Sequence, residues 1–314
     1  MKNNLPQLSI VIPTLDRNEE FPSAIISAIN SDDAANVIIS QNKSNKITRD
    51  ACNVIKDSRV LLKYWEERLA IGDHWSIAIN ETVTTEFYTI IPDDDRIRAQ
   101  EYYRVIIDAL NNNNCVAGFA DKRLNNIIHR IPNKKISENI IMITGNNFLK
   151  ILRSDIDGVL DICPTHFTTV FRTDAAKKVG LYPNCHSPDL LLFANICKIG
   201  NILVYLEDPG DYKWNENGLS KKPNIKMLVS EIIEIKKLKF SLNSNINKTV
   251  KKRLLTRTRR ALYVALIKSI RMKLYSESIY AISNLSLIDL IKLTSGFALR
   301  LINGRWPKID PFLP

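Results

Sequence analysis

The chain has 314 residues, of which 45% are hydrophobic and 25% charged, an ordinary composition for a soluble globular protein with one large core or two modest ones. Its net charge of +11 is uneven, because residues 1–220 carry 24 Lys and Arg against 28 Asp and Glu, whereas residues 221–314 carry 20 against 5. The composition argues against a membrane-spanning chain, a secretion signal after Met1 and a zinc or redox site, since the five scattered cysteines include no CxxC pair.

In the first hundred residues, hydrophobic patterns typical of strands alternate with patterns typical of helices. They predict strands at 8–12, 36–40, 60–64 and 87–91, and helices around 24–29, 47–56 and 74–82. Strands that alternate with helices favour a parallel, doubly wound sheet. The polar loops 14–17, 41–45 and 93–95 would then lie at one edge of this sheet, where a nucleotide-type ligand binds.

Three consecutive carboxylates, Asp93, Asp94 and Asp95, follow the predicted strand 87–91. Adjacent carboxylates repel one another unless a cation lies among them, and Mg²⁺ or Mn²⁺ prefers such oxygen ligands together with substrate phosphates. A solvated acidic turn that leads into the next helix is the alternative interpretation.

The second half of the chain is less regular. We expect a helix at 99–110, a strand at 115–119, a loop-rich or antiparallel segment at 121–160, a strand at 168–172 and a short helix that Asp174 caps and Gly180 ends. A further helix begins at Ser187-Pro188-Asp189 and is followed by a strand at 202–206.

Beyond residue 220 the chain is helical and basic. Leu262, Leu266, Ile270 and Leu274 recur at helical spacing among lysines and arginines and form one apolar face. Such a face suits either an anionic membrane surface or packing within the protein itself, and the sequence leaves both interpretations open.

Several segments resemble, in order, the motifs of the family 2 glycosyltransferases with the GT-A fold. Leu8–Arg17 is similar to the first strand and its P-T-x-N/D-R loop, Ile38–Ser44 to the D-N-x-S turn, and Asp73–Asp95 to the stretch that ends in D-D-D. His166–Arg172 and Ser187–Leu192 resemble the acceptor-side half.

The resemblance covers about residues 7–220 and implies an α/β fold. It implies a GT-A type, Rossmann-like, mostly parallel sheet flanked by helices over residues 1–220, with a nucleotide-binding half at about 1–120 and an acceptor half at about 121–220. Residues 221–314 would form a separate basic helical C-terminal region.

The resemblance also assigns roles to single residues. The positions that it matches to nucleotide binding are Pro13, Thr14, Asp16, Arg17, Gln41, Trp75, Asp93 and Asp94. Asp93 and Asp95 would bind a divalent cation, Mn²⁺ or Mg²⁺, on the donor diphosphate. Asp189 would be the catalytic base that deprotonates the acceptor hydroxyl for an inverting transfer.

The chain departs from the family pattern at three points. Gln41 stands where the family usually has Asp, His74 stands where Asn is frequent, and the segment 212–220, which resembles a flexible loop over the site, has no metal-binding His. Trp75 also suits a core position, and His166 and His186 are interpreted as structural hydrogen-bonding residues.

These features predict an inverting, metal-dependent glycosyltransferase that takes its sugar from a nucleotide-diphosphate donor, preferably UDP-linked. The acceptor would be a bacterial surface polysaccharide or lipopolysaccharide, as a glycan or lipid-linked glycan. The location would be cytoplasmic, with the basic helices on the anionic inner face of the cell membrane and no nucleic-acid partner.

Three alternatives compete with this prediction. A nucleotidyltransferase of similar fold would be expected to have a Gly-rich loop after its first strand, which the segment 13–17 lacks. A non-catalytic anion- or nucleic-acid-binding protein would use the basic tail, although recognised binding modules and aromatic platforms are not evident there. A degenerate, inactive transferase would be consistent with Gln41 and the missing His.

Overall fold

The structure is a computed structural model that describes residues 7–16, 21–32, 35–154, 162–211, 224–238, 244–271, 275–286 and 288–293. The chain divides into two compact units. The first contains Met1–Pro183 and Pro188–Lys213, and the second contains Asn184–Ser187 and Trp214–Pro314. The first is called the sheet unit and the second the helical unit.

The sheet unit contains a nine-stranded mixed sheet with the order β3-β2-β1-β4-β9-β6-β10-β8-β7 and a small β11-β5 sheet. Its strands are β1 (Leu8–Thr14), β2 (Asn36–Asn42), β3 (Val60–Trp65), β4 (Phe87–Ile90), β5 (Arg96–Ile97), β6 (Ala117–Ala120), β7 (Lys134–Lys135), β8 (Ile140–Ile143), β9 (Val170–Arg172), β10 (Ile202–Tyr205) and β11 (Gly210–Asp211). The first four strands are parallel, as expected. β9 then runs antiparallel between β4 and β6, so these two strands are joined only through it.

In the described part of this unit, seven α-helices accompany the sheet. They are α1 (Phe21–Ser31), α2 (Lys46–Asn53), α3 (Ile71–Thr82), α4 (Tyr102–Asn113), α5 (Gly145–Ile151), α6 (Thr173–Lys178) and α7 (Pro188–Ile196). Alternate residues of β1 and β2, such as Ile12 and Ile39, are fully buried and share one apolar cluster with Ile25 of α1. Burial of about 1.5–3 kcal/mol per such side chain stabilises the layered arrangement.

The segment 121–160 folds into short pieces. Two 3₁₀ turns at Lys122–Asn126 and Ile128–Arg130 precede β7 and β8, and β8 pairs antiparallel with β10, as expected. Helix α5 was not predicted. Thr144 caps it through a hydrogen bond from Asn147 N, and Gly145 lies so close to the end of α7 that a Cβ there would be 1.9 Å from the carbonyl oxygen of Cys197.

Several predicted helix boundaries are wrong: α2 ends at Asn53 and not at 56, α3 begins at Ile71 and not at 74, and α4 begins at Tyr102 and not at 99. Helix α4 continues through Asn113, because the chain turns only at Asn114, which adopts a left-handed conformation with φ of 49°. Asp174 is not the cap of α6, since the cap residue is Arg172 and Asp174 lies in the first turn, where its Oδ1 accepts a hydrogen bond from Ala175 N. Gly180, with φ of 97°, follows this helix as predicted.

The helical unit contains α8 (Ile225–Lys237), α9 (Ser244–Arg271) and α10 (Tyr275–Asn284). Leu262 is fully buried in a cluster with α8 residues such as Leu228, and Leu266 packs against the same cluster. At these two positions the apolar face of α9 is therefore covered by the unit itself. The Ile270 and Leu274 side chains lie outside the described residues.

A buried carboxylate, Asp289, connects α8 and α9 through hydrogen bonds. Asp289 is 1% exposed and receives hydrogen bonds from Lys236, Ser286 and Arg259. Burial alone would raise the pKa of Asp289, but these three donors hold the pKa at about 2. Across the described residues we find no helix with the length and apolar character needed to cross a bilayer.

Candidate active site

The C-terminal ends of β1, β2 and β4 bring three predicted site residues to one sheet edge. The register pairs Thr14 with Gln41, and Asp93 comes three residues after the end of β4. Thr14 Oγ1 donates a 3.0 Å hydrogen bond to Asp93 Oδ2. Asp93 is 8% exposed and Asp95 only 2%, so these carboxylates do not belong to a solvated acidic turn.

Two buried carboxylates at this edge fit a hard divalent cation. Mg²⁺ in nucleotide sites usually takes one or two protein carboxylates and completes its shell with phosphate oxygens and water. Among the described residues no group of three or more His, Cys, Asp or Glu side chains is arranged to hold a metal. Asp93 and Asp95 therefore suit a cation that arrives with, or is completed by, a diphosphate.

The loop after β1 is tied to the start of α2. Asp16 has a positive φ of 47°, and its Oδ1 accepts a 2.7 Å hydrogen bond from the backbone N–H of Asn45. Pro13 is buried within β1. Arg17 and the segment 212–220 lie outside the described residues.

Gln41 belongs to β2 itself, because the strand continues to Asn42, beyond its predicted end. Residues alternate along a strand, so Gln41 shares the face of Ile39 and lies beside Thr14 in the register. The side chain is 4% exposed, and its Oε1 has no hydrogen-bond partner among the described residues. A buried amide oxygen without a partner costs about 1–3 kcal/mol, which a ligand with a donor group would recover.

A second cluster surrounds Asp189, in the first turn of α7. Its Oδ2 is 3.6 Å from His166 Nε2, and its side chain is 30% exposed. Trp75 of α3 and Tyr182 pack against His166, with ring centroids 4.5 Å and 5.6 Å from the imidazole. The resemblance matched Trp75 to nucleotide binding. In the structure Trp75 contacts His166 and Tyr182, beside Asp189.

Tyr103 of α4 holds the turn that carries His166. Its hydroxyl donates a 2.9 Å hydrogen bond to the carbonyl of Phe167, the residue after His166. Burial is the main cause of the raised pKa of Tyr103; a hydrogen bond with Thr89 opposes the rise, and the charges of Asp32 and Asp95 add to it. The turn that carries His166 also packs against β4 and β5, the strands on either side of the acidic triplet.

Two features of these clusters were missed from the sequence. His74 Nε2 lies 2.8 Å from Ser40 Oγ, which also accepts a hydrogen bond from Trp65 Nε1. Burial lowers the pKa of His74 to about 4, so the imidazole is a neutral structural group. His166, in contrast, was interpreted as a structural hydrogen-bonding residue, but its Nε2 has no such partner among the described residues. Nothing in the local sequence distinguishes these two histidines.

Comparisons with known proteins follow the same lines. The model of the family described as "Glycosyl transferase family 2" matches residues 9–180. No curated protein sequence matches the chain significantly.

Solved structures similar to this chain include S. aureus TarS 1-349, with a TM-score of 0.56 and 14% identity over 88% of this chain and 79% of that one. The same fragment in complex with UDP-GlcNAc has a TM-score of 0.60 and 13% identity, over 97% of this chain and 94% of that one. The mannosyltransferase PcManGT from Pyrobaculum calidifontis, in complex with GDP-Man and Mn²⁺, has a TM-score of 0.55 and 15% identity, over 95% of this chain and 81% of that one. At such identities these similarities concern the fold alone.

Proposed function

The chain belongs to glycosyl transferase family 2 and has the GT-A fold, and on this basis we propose that it transfers a sugar from a UDP donor to an acceptor hydroxyl with inversion. The observation that carries the proposal is the buried pair Asp93 and Asp95 at the sheet edge, with Thr14 hydrogen-bonded to Asp93. Family membership argues against the nucleotidyltransferase and the non-catalytic alternatives.

The donor diphosphate would lie against the ends of β1 and β4. Asp93 and Asp95 would hold Mn²⁺ or Mg²⁺, which, when bound, supplies positive charge and Lewis acidity to the leaving diphosphate. Thr14 fixes the orientation of the Asp93 carboxylate through its hydrogen bond. Pro13, Asp16 and Asp94 would line the nucleotide pocket, and Arg17, outside the described residues, keeps its proposed role there.

Gln41 supports uracil as the base. A uracil edge presents the N3–H donor beside a carbonyl acceptor, and an amide side chain presents the complementary acceptor and donor. The buried Gln41 Oε1 without a partner would accept from N3–H. Guanine presents adjacent donors at N1 and N2, which match a carboxylate better than an amide.

Asp189 would act as the general base. Its carboxylate would accept the proton of the acceptor hydroxyl while the acceptor oxygen forms the new bond to the anomeric carbon. The bond from that carbon to the diphosphate oxygen breaks at the same time, and UDP leaves with the electron pair. The partial exposure of Asp189 leaves room for an acceptor to approach.

The proposed acceptor, a bacterial surface polysaccharide or lipopolysaccharide, follows from the family resemblance. We further propose contact with an anionic membrane through the helical unit. Residues 221–314 carry 20 Lys and Arg against 5 Asp and Glu. Among the described residues of this unit, four isoleucines are more than half exposed: Ile279, Ile282, Ile288 and Ile291. Basic residues with exposed apolar side chains are typical of helices that lie on such a surface.

Thermal stabilisation by nucleoside diphosphates tests the core of the proposal. Binding to the native state raises the melting temperature by mass action. UDP with Mn²⁺ should stabilise the protein, and Asp95→Ala should abolish the metal-dependent part of this shift. Asp174→Ala, at an exposed aspartate of α6, is the matched control and should leave the shift intact. The absence of any shift with UDP, GDP, CDP, ADP or dTDP, with or without Mn²⁺, would refute the proposed donor site.

A further inference from the structure

His166 lies in a rigid setting next to Asp189. It begins the 3₁₀ turn His166–Thr168, which α4 holds through hydrogen bonds from the hydroxyls of Tyr102 and Tyr103 to the carbonyls of Thr168 and Phe167. The rings of Trp75 and Tyr182 flank the imidazole, and its side chain is only 10% exposed. Packing of this kind fixes the plane of the ring.

The cluster around the imidazole is itself tied to α3. Ser76 Oγ donates to the carbonyl of Tyr182 and accepts from the backbone N–H of the same residue, at 3.0 and 3.1 Å. The rings of Trp75 and Tyr182 meet nearly at right angles, with centroids 5.3 Å apart. Helix α3 holds the rings of Trp75 and Tyr182, and α4 holds the 3₁₀ turn. His166 therefore has little freedom to turn away from Asp189.

The nitrogen that faces Asp189 has an unmet hydrogen-bonding capacity. His166 Nε2 is buried, has no hydrogen-bond partner among the described residues and lies 3.6 Å from Asp189 Oδ2. This distance is slightly too long for a hydrogen bond. Catalytic hydrogen bonds are often long in free enzymes, however, and shorten when substrate binds.

Electrostatics select one tautomer of the ring. Burial lowers the pKa of His166, although Asp189 opposes this change, so the imidazole is neutral and carries one proton. A lone pair on Nε2 would be repelled by the carboxylate oxygen, whereas an N–H would be attracted to it. Tyr182 does not compete with Asp189 for this proton, because its phenol stays protonated. Burial raises the pKa of Tyr182 well above the ordinary value, and Tyr88 and Asp189 add to the rise.

We propose that His166 is a positioning residue, which donates from Nε2–H to one oxygen of Asp189 and so directs the other oxygen at the acceptor hydroxyl. The role rests on the proposed function, in which Asp189 is the base. The terminal torsion of an aspartate is broad, so a carboxylate held at one oxygen loses most of its freedom to rotate. Misplacement of a reacting group by about 1 Å can cost about 100-fold in rate.

The first test needs no substrate. The chain has four histidines, so the imidazole nitrogens of the ¹⁵N-labelled full-length protein can be resolved by NMR and those of His166 assigned with His166→Phe. We expect the proton on Nε2 of His166, and a shift of this resonance in Asp189→Asn. A proton on Nδ1, or an Nε2 resonance that Asp189→Asn leaves in place, would overturn the proposal whatever the enzyme's donor.

The second test uses turnover of UDP-GlcNAc, UDP-glucose and UDP-galactose with Mn²⁺, followed as release of UDP. His166→Phe keeps a flat ring without Nε2–H and should lower kcat about 10- to 100-fold, with KM for the donor within twofold. His166→Gln keeps a donor and should recover part of kcat. His129→Phe, the same change at an exposed histidine, should have no effect.

The two tests separate the failure of the inference from the failure of the proposed function. If none of these UDP-sugars is turned over, the turnover test bears on the proposed donor, and the NMR result alone decides the role of His166. If turnover occurs and His166→Phe retains full kcat, or raises KM and lowers the melting temperature without changing kcat, His166 is a packing residue and the inference is wrong.

Discussion

Gln41 is a single amide at which nucleotide preference can be changed. In Gln41→Glu the side chain keeps its size but loses its donor, so it suits the two adjacent donors of guanine better than the mixed edge of uracil. One hydrogen bond is worth about 0.5–1.5 kcal/mol, and we expect the preference for UDP over GDP to fall about tenfold.

Calorimetric titration with UDP and GDP in the presence of Mn²⁺ measures this change. Gln7→Glu introduces the same carboxylate at an exposed position just before β1 and should leave both affinities unaltered. An unchanged UDP to GDP ratio in Gln41→Glu would mean that Gln41 does not contact the base.

His74 makes stability depend on pH. Its pKa falls from an ordinary 6.5 to about 4 in the folded protein because of burial, which the hydrogen bond with Ser40 partly opposes. The unfolded chain therefore binds a proton first, and the stabilisation, complete above about pH 6.5, is lost as the pH falls towards 4. Between pH 7 and 5 the loss is about 2 kcal/mol.

Urea unfolding at pH 7 and pH 5 can detect this contribution. His74→Asn has no titrating group at this position, so its free energy of unfolding should fall by about 2 kcal/mol less than that of the wild type over this range. His166 is present in both proteins, and its contribution cancels in the comparison. An equal pH dependence in both proteins would contradict the assignment.

Among the elements, α5 depends on a glycine at its first position. A Cβ at Gly145 would lie 1.9 Å from the Cys197 carbonyl oxygen and 2.4 Å from that of Gly200, and both obstacles are backbone atoms. Gly145→Ala should therefore lower the free energy of unfolding by about 3 kcal/mol, measured as the shift of the urea midpoint.

Gly180→Ala provides a contrasting control. Its Cβ would meet no atom within 4 Å, but the residue has φ of 97°, so only backbone strain of about 1–2 kcal/mol is expected. If Gly145→Ala destabilises no more than Gly180→Ala, the contact between α5 and the end of α7 is looser than described.

The same elements show what the sequence predicts and what it does not. The strands of the parallel half follow from runs such as 8–12 and 87–91, because a strand buried on both faces reads as a continuous apolar segment. Helix α5 has only seven residues and begins with a glycine, so it is too short for a helical hydrophobic pattern to be recognised. The end of α4 depends on the conformation of Asn114, which propensity alone does not specify.

The candidate site was predicted unevenly for a related reason. Asp93 and Asp95 stand out because three carboxylates end an apolar strand, and the structure shows both to be buried. His166 meets Asp189 only through tertiary packing across more than 20 residues of chain. Contacts of this kind leave no local pattern, and a single sequence cannot reveal them.

For the whole molecule, the exposed isoleucines of the helical unit predict membrane binding. Full-length protein should co-sediment with vesicles that contain anionic lipid, less so at high salt. Ile279→Ser with Ile282→Ser removes two exposed apolar side chains and should lower the partition coefficient at least tenfold.

The matched control is Ile26→Ser, at an exposed isoleucine of α1 in the sheet unit, which should bind as the wild type does. Equal binding by all three proteins would show that the exposed isoleucines do not enter the membrane. Binding to neutral vesicles as strong as to anionic ones would show that the basic charge has no part.

The position of β9 has a consequence for synthesis of the protein. Strands β3, β2, β1 and β4 come from residues 8–90 and can pair as soon as they leave the ribosome, whereas β6 reaches β4 only through β9, some 50 residues further along the chain. Until residue 172 emerges, one edge of β4 stays open to other chains. Stalled nascent chains that end before β9 should therefore recruit chaperones, and chains that extend about 40 residues past it should resist protease from β3 to β6, the part of the sheet that β9 completes.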